Sequence, residues 1–226
     1  MMSKLSEKLK SLPKYFWVLA AVTAASQFTV YYLPRVLHSE NLTRLSSALD
    51  DKIPVVPAFA YVYVAAFVFW VVFYIVLYLM NKRIAYRVFT ADLICKLVCV
   101  LAFCLYPCTM DQPAESELHG VGAWLMRIIY ASDEPTQLLP SMHCYISILL
   151  PLALFSKYAN KTSARLKIFA ASFGVLICLS TVFIKQHVLM DVYTGAALAA
   201  IAFAISSIIW RFIDKARPGL ANAPEK

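Results

Sequence analysis

Two histidines and an aspartate stand out as residues whose types and spacing can do chemistry. His143 lies in the run Leu139-Pro140-Ser141-Met142-His143-Cys144, and His187 precedes Asp191 by four residues. Residues four apart on a helix share one face. A carboxylate so placed accepts the Nδ1 hydrogen of the imidazole, fixes its tautomer and leaves Nε2 as an oriented lone pair. Such a nitrogen can attack phosphorus and form a covalent intermediate. A second imidazole, His143, can protonate the leaving oxygen. Ser141 and the backbone N–H groups near Met142 fall at the start of an expected helix, where anions are favoured. Lys185 adds positive charge beside His187. Each residue also has a plainer reading. A histidine near a helix end is commonly structural, Ser180 and Thr181 can bond back to their own helix carbonyls, and Lys185 can snorkel to an interface. Together, polar groups gathered on one face of a membrane bundle point to function.

The surrounding chain is far too apolar for a soluble domain. Of 226 residues, 61% are hydrophobic and only 15% charged, against about half and a quarter in ordinary globular proteins. Six apolar blocks recur: Tyr15 to Leu33, Ala58 to Met80, Val88 to Tyr106, Leu138 to Phe155, Ile168 to Ile184 and Val192 to Trp210. Runs of about 18 or more apolar residues mark spanning helices, and in hydrocarbon only helices and closed barrels satisfy the backbone. The expected fold is therefore all-α, a polytopic membrane helix bundle of about six transmembrane helices. It forms one membrane domain over residues 1–226: two N-terminal spans in 15–87, a core in 88–210 and a tail in 211–226. Pro151 is expected to bend the fourth span. The first block is longer than a signal-peptide core and reads as a retained helix. A residue just before span four and one just after span five lie on the same side of the membrane, so topology alone puts His143 and His187 at one depth.

The net charge of +8 is a topology signal. With the amino terminus inside, fifteen of the 21 basic residues fall in cytoplasmic segments, five outside, and Lys96 within a span. The inner group runs from Lys4, Lys8, Lys10 and Lys14 to Lys226, and Glu40 is among the outer acids. This is the positive-inside pattern, and it removes the case for nucleic-acid binding. It places both termini in the cytoplasm and the histidines at the outer face of a plasma (bacterial inner) membrane. Between the spans, the loop 34–57 reads as surface. In the loop 107–137, Val121, Trp124, Leu125, Ile128 and Ile129 recur at helical spacing and predict a short amphipathic helix at the outer interface. Asp92 and Lys96 can pair across one helical turn inside span three. The six cysteines have no zinc spacing and read as buried thiols, with a Cys108–Cys144 disulfide as an alternative. Asn41-Leu42-Thr43 is a glycosylation sequon, meaningful in a secretory context.

Pro140-Ser141-Met142-His143 resembles the PSGH motif of the type 2 phosphatidic acid phosphatase superfamily. Ser180 to Asp191 resembles its SRxxxxxHxxxD motif, with the spacings from Thr181 to His187 and from His187 to Asp191 kept. The resemblance covers about residues 88 to 210 and leans to a bacterial branch that is also similar to inositol phosphorylceramide synthases. It implies His187 as nucleophile, Asp191 as its partner, His143 as general acid and Ser141 as a phosphate ligand beside Met142, with no metal and no cofactor. The motif glycine is Met142 here, and the SR arginine is Thr181, which removes a bidentate phosphate ligand. Lys185 is the charge that can replace it, although lysine is not geometrically equivalent. The upstream KxxxxxxRP motif is unmatched: Gln112 stands where its arginine would be and Leu105 where its lysine would be. Arg127 or His119 is a further candidate for the missing charge. The reading that follows is a membrane-bound, metal-independent lipid phosphatase acting through a phosphohistidine. Its substrate would be a phosphate monoester or pyrophosphate of a lipid, and its partners membrane lipids. The alternatives are a lipid head-group phosphotransferase, or a non-catalytic lipid-binding or transport protein.

Overall fold

The computed structural model describes residues 11–37 and 42–217. Lys4, Lys8, Lys10, Glu40, the sequon residue Asn41 and the end of the tail with Lys226 lie outside them. The described residues form seven α-helices: α1 (Lys14–Val36), α2 (Phe59–Met80), α3 (Lys82–Leu105), α4 (Ala123–Ser132), α5 (Met142–Leu154), α6 (Ala164–Phe183) and α7 (Leu189–Ala216). Five of them, α1, α2, α3, α6 and α7, are long and apolar enough to cross a membrane. The chain is thus a mostly all-α, polytopic membrane helix bundle.

The fourth apolar block, expected as one of about six spans, forms a shorter helix than the others. It yields only the 13-residue α5, about 20 Å long at 1.5 Å per residue, against a hydrocarbon core of about 30 Å. Its start is set by Ser141, whose Oγ accepts the Cys144 N–H at 3.2 Å. Its end follows three residues after Pro151, which cannot donate to the carbonyl four residues back. That carbonyl belongs to Ser147. It is approached closely by Gly174 of α6, where an added Cβ would lie 2.2 Å from it. Gly195 of α7 approaches the Ser141 carbonyl in the same way, at 2.6 Å for an added Cβ. Two missing side chains thus let α6 and α7 close on α5, whose residues are mostly buried. A helix packed against α2, α3, α6 and α7 is shielded by protein and does not need the length of a lipid-facing span.

Midway along the bundle, Lys96 Nζ pairs with Asp92 Oδ2 at 2.7 Å. It also donates to the Thr23 carbonyl at 2.9 Å and to Ser26 Oγ at 3.1 Å. The other Asp92 oxygen accepts from Tyr74 at 2.7 Å and Tyr145 at 3.3 Å. The predicted intrahelical pair is real, and it ties α1, α2 and α5 to α3.

At the end of the bundle where α1, α3 and α6 finish, the two loops interlock. β1 (Thr43–Arg44) pairs in parallel with β2 (Cys108–Thr109), Thr43 opposite Cys108, and Arg44 forms an ion pair with Asp111. This small bridge joins the loop 34–57 to the loop 107–137. The predicted loop helix is present as α4. Met126 and Ile129 pack with Ala60 and Tyr63 of α2, while Val121, Trp124 and Ile128 face outward. All six cysteines are free thiols. Burial, followed by the nearby Asp191 charge, pushes the Cys108 thiol up to about 11, so it stays protonated and unreactive.

Candidate active site

The loop between α6 and α7 and the first turn of α5 meet at this same end. After α6, the Thr181 carbonyl accepts from the N–H groups of both Gln186 and His187, at 2.9 and 3.1 Å. Lys185 takes a left-handed backbone conformation, φ 52°, which reverses the chain and turns His187 back toward α5. The expected i,i+4 geometry does not arise from a shared helix, because α7 begins only at Leu189. The first turn of that helix makes the pairing instead. Asp191 Oδ2 accepts the Val188 N–H at 3.1 Å and faces His187 Nδ1 at 3.2 Å. One carboxylate therefore caps orphan donors at a helix start and orients an imidazole. Burial by itself would lower the His187 pKa; the Asp191 hydrogen bond and charge outweigh it and leave it raised above 6.5.

His143 stands in the first turn of α5 inside an aromatic box. Tyr63 stacks on it with centroids 4.5 Å apart, and Trp70 and Phe67 lie at 5.2 and 6.1 Å. Trp70 is held one turn deeper by donating to Ser147 Oγ at 2.9 Å. The His143 and His187 rings are 5.6 Å apart, centroid to centroid. Both line a cavity of about 40 Å³, together with Tyr31, Asp133, Gln137, Met142 and Gln186. Two buried polar atoms here have no partner among the described residues, His143 Nε2 and Asp191 Oδ1. Buried polar atoms are rarely left so.

The other expected residues stand elsewhere. Ser141 is fully buried, with its oxygen engaged as the α5 cap and its N–H donating to the Asp191 carbonyl at 3.2 Å. Thr181 donates back to the Cys178 carbonyl at 2.8 Å and is buried away from the cavity. Lys185 donates to the Asp50 carbonyl at 2.7 Å, and with Gln112 it lines a neighbouring cavity instead. Arg127 is spent on the Leu118 and Glu115 carbonyls, and His119 is exposed. Of the expected anion ligands, only Met142 reaches the histidine cavity, because the Ser141 hydroxyl is taken by a backbone N–H and Thr181 and Lys185 by backbone carbonyls.

Three contributors carried no sequence signal. Asp133, at the end of α4, is held by Arg35 at 2.8 Å and by Tyr31 and Tyr63 at 3.2 and 3.3 Å. Tyr31 brings α1 into the cavity wall. Asp50 caps α7 by accepting the Leu189 N–H at 2.8 Å. These pairings join residues as many as 139 positions apart, beyond any local pattern.

Residues 103–218 match the family model of the PAP2 superfamily. The chain belongs to the PAP2 superfamily. No curated protein and no solved structure matches it. The PAP2 region contains His143, His187 and Asp191, whereas Tyr31, Arg35, Asp50 and Tyr63 precede it and close the site from outside. Among the described residues, no group of three His, Cys, Asp or Glu side chains is arranged to hold a metal ion. Membership supports a metal-independent hydrolase of the membrane-associated phosphatase class.

Proposed function

We propose that the protein cleaves a lipid phosphate monoester or pyrophosphate through a phosphohistidine on His187. The observation that carries this reading is the convergence of two imidazoles 5.6 Å apart with a carboxylate on Nδ1 of one. His187 Nε2 attacks phosphorus as the P–O bond to the lipid breaks. His143, protonated, delivers its proton to the departing oxygen. Asp191 offsets the positive charge that develops on His187. Water then attacks the phosphohistidine, giving a proton to the now-neutral His143, as the N–P bond breaks, releasing phosphate and returning the nitrogen lone pair. If an alcohol takes the place of water, the product is a transferred head group.

The rings share a wall of the cavity, so the phosphoryl group docks beside them, against Met142 and the amino-terminal end of α5, where backbone N–H groups favour an anion. Among the described residues, the cavity carries Asp133, which is paired with Arg35, and no unpaired guanidinium of the kind the family motifs supply. This favours a phosphoryl group bound as its monoanion over a bare dianion. Among the described residues, eleven basic side chains lie toward the end where α1, α3 and α6 begin, and five toward the histidine end. That asymmetry supports a cytoplasmic basic end and a site at the outer face.

The test is phosphate release in detergent with EDTA from phosphatidic acid, a polyprenyl pyrophosphate, and phosphorylated sphingolipid and inositol lipids. Release by the wild type that vanishes in His187→Ala and falls sharply in His143→Ala is the expected result. Release that survives both substitutions rejects the assignment of these residues. Where no lipid is hydrolysed, candidate acceptor alcohols are added, and product formed only in their presence identifies a transferase.

A further inference from the structure

A second and larger cavity lies at the opposite end of the bundle, with a volume of about 590 Å³. That is within the roughly 300–1,000 Å³ of small-ligand sites. Arg83 from the start of α3, Lys157 from the turn after α5, and Arg211 and Lys215 from the last turns of α7 surround it. Its single acid, Asp214, is already engaged. Asp214 Oδ2 accepts from Arg87 at 2.7 Å, and the same guanidinium donates to the Tyr158 hydroxyl at 3.0 Å and lies 4.1 Å over its ring. Arg87 is only 1% exposed, so Arg87, Asp214 and Tyr158 make a fixed, charge-balanced floor. Among the described residues, Lys157, Arg211 and Lys215 form no ion pair. Cations held around one opening repel one another, and the repulsion is relieved by an anion placed among them.

The surface beside this opening says which anion. Ile208 and Phe212 also line the cavity. They are 51% and 67% exposed, and being four apart they form one apolar strip on a membrane helix. A soluble anion has no use for such a strip, whereas a phospholipid lays its acyl chains along it. We infer that this cavity binds the head group of an anionic phospholipid, with Lys157, Arg211 and Lys215 on its phosphate and Ile208 and Phe212 against its chains. The bound lipid joins the turn after α5 and the end of α7, two segments whose like charges otherwise push apart. The site is separate from the histidine cavity, and its test does not use catalysis.

The experiment is native mass spectrometry of the full chain in detergent, titrated with phosphatidylglycerol or phosphatidylcholine. One phosphatidylglycerol per chain is expected, bound at least about tenfold more tightly than phosphatidylcholine, since each nearby cation contributes about 1 kcal/mol toward an anionic head group. The combined variant K157Q/R211Q/K215Q is expected to lose that preference to within about twofold. Arg165→Gln with Lys167→Gln, which removes charge from the same end but outside the cavity, is expected to keep it. Equal binding of both lipids by the wild type overturns the proposal, as does preference retained in the combined variant or lost equally in the R165Q/K167Q control. Glycerol 3-phosphate that binds as tightly as the lipid overturns the choice of a lipid. If the combined variant does not elute as a folded species, Arg211→Gln alone, at an exposed position, is read for a drop of about threefold or more.

Discussion

Two polar clusters sit inside this apolar bundle, and they are finished to different degrees. Around Asp92 and Lys96, the three hydrogen bonds of the ammonium and the two tyrosine hydroxyls on the carboxylate leave no buried polar atom of the pair unpartnered among the described residues. Around His143 and His187, a ring nitrogen and a carboxylate oxygen are buried without partners among the described residues. The first cluster has nothing left to offer a ligand, so its free energy goes into joining four helices. The second leaves hydrogen-bonding capacity unused at a cavity, at a cost of roughly 1–3 kcal/mol for each unsatisfied group. A fully satisfied network holds a fold together, and a partly satisfied one next to a cavity is where substrate completes the set. The two clusters contain similar residue types, so composition does not separate them; the tally of partners does.

Substitutions can break this contrast, beginning with the strongest. His187→Asn is expected to lower kcat by at least about 10³-fold with little change in thermal unfolding, because the side chain serves chemistry more than packing. A large loss of stability with activity retained would reverse the roles of the two clusters. Asp92→Ala is expected to do the opposite. It leaves Lys96 charged and uncompensated, and removal of one partner of a buried pair costs about 3–5 kcal/mol. Thermal unfolding in detergent reads the loss, and the activity of the fraction still folded is expected to stay within about threefold of wild type.

Asp191→Asn is expected to reduce kcat by about 10²–10³-fold and to move the acid limb of the pH profile. Asp191 holds the His187 pKa above 6.5, and the attacking ring must be neutral, so the rate rises with pH through that raised value. Without the carboxylate charge the limb shifts to lower pH. A limb that stays in place would show that another group titrates. The smallest expected effect belongs to Asp50→Ala. It removes the acceptor for the Leu189 N–H and costs about 1 kcal/mol, as for other helix caps. The accompanying fall in kcat is only severalfold, because Asp191 keeps its own hold on Val188.

Much of the arrangement was legible before folding. The long apolar blocks gave the five spanning helices, because burying about 20 apolar residues in lipid leaves the backbone no alternative to a helix. The amphipathic spacing in the long loop gave α4. The Asp92–Lys96 spacing gave their ion pair. The block at 138–155 holds a helix shorter than its apolar run, since apolar residues fit a protein interior as readily as a lipid surface. Helix length was decided by Ser141 and Pro151, not by hydrophobicity. Thr181 and Lys185 were expected at the cavity from their closeness to His187, and the turn that aims His187 inward sends their polar atoms to the Cys178 and Asp50 carbonyls.

The sequence by itself determined that this is a membrane helix bundle and that two histidines lie at the same end of it. Both follow from the solvation of the backbone in hydrocarbon and from counting how often the chain crosses. Only the tertiary structure decided which polar groups surround those rings. Arg35, Asp50, Tyr63 and Asp133 reach the site from separate elements, and their contacts depend on the packing of helices distant in the chain. The same packing set the state of each polar group: Lys96 was given all its partners, and His143 was left with a nitrogen to spare.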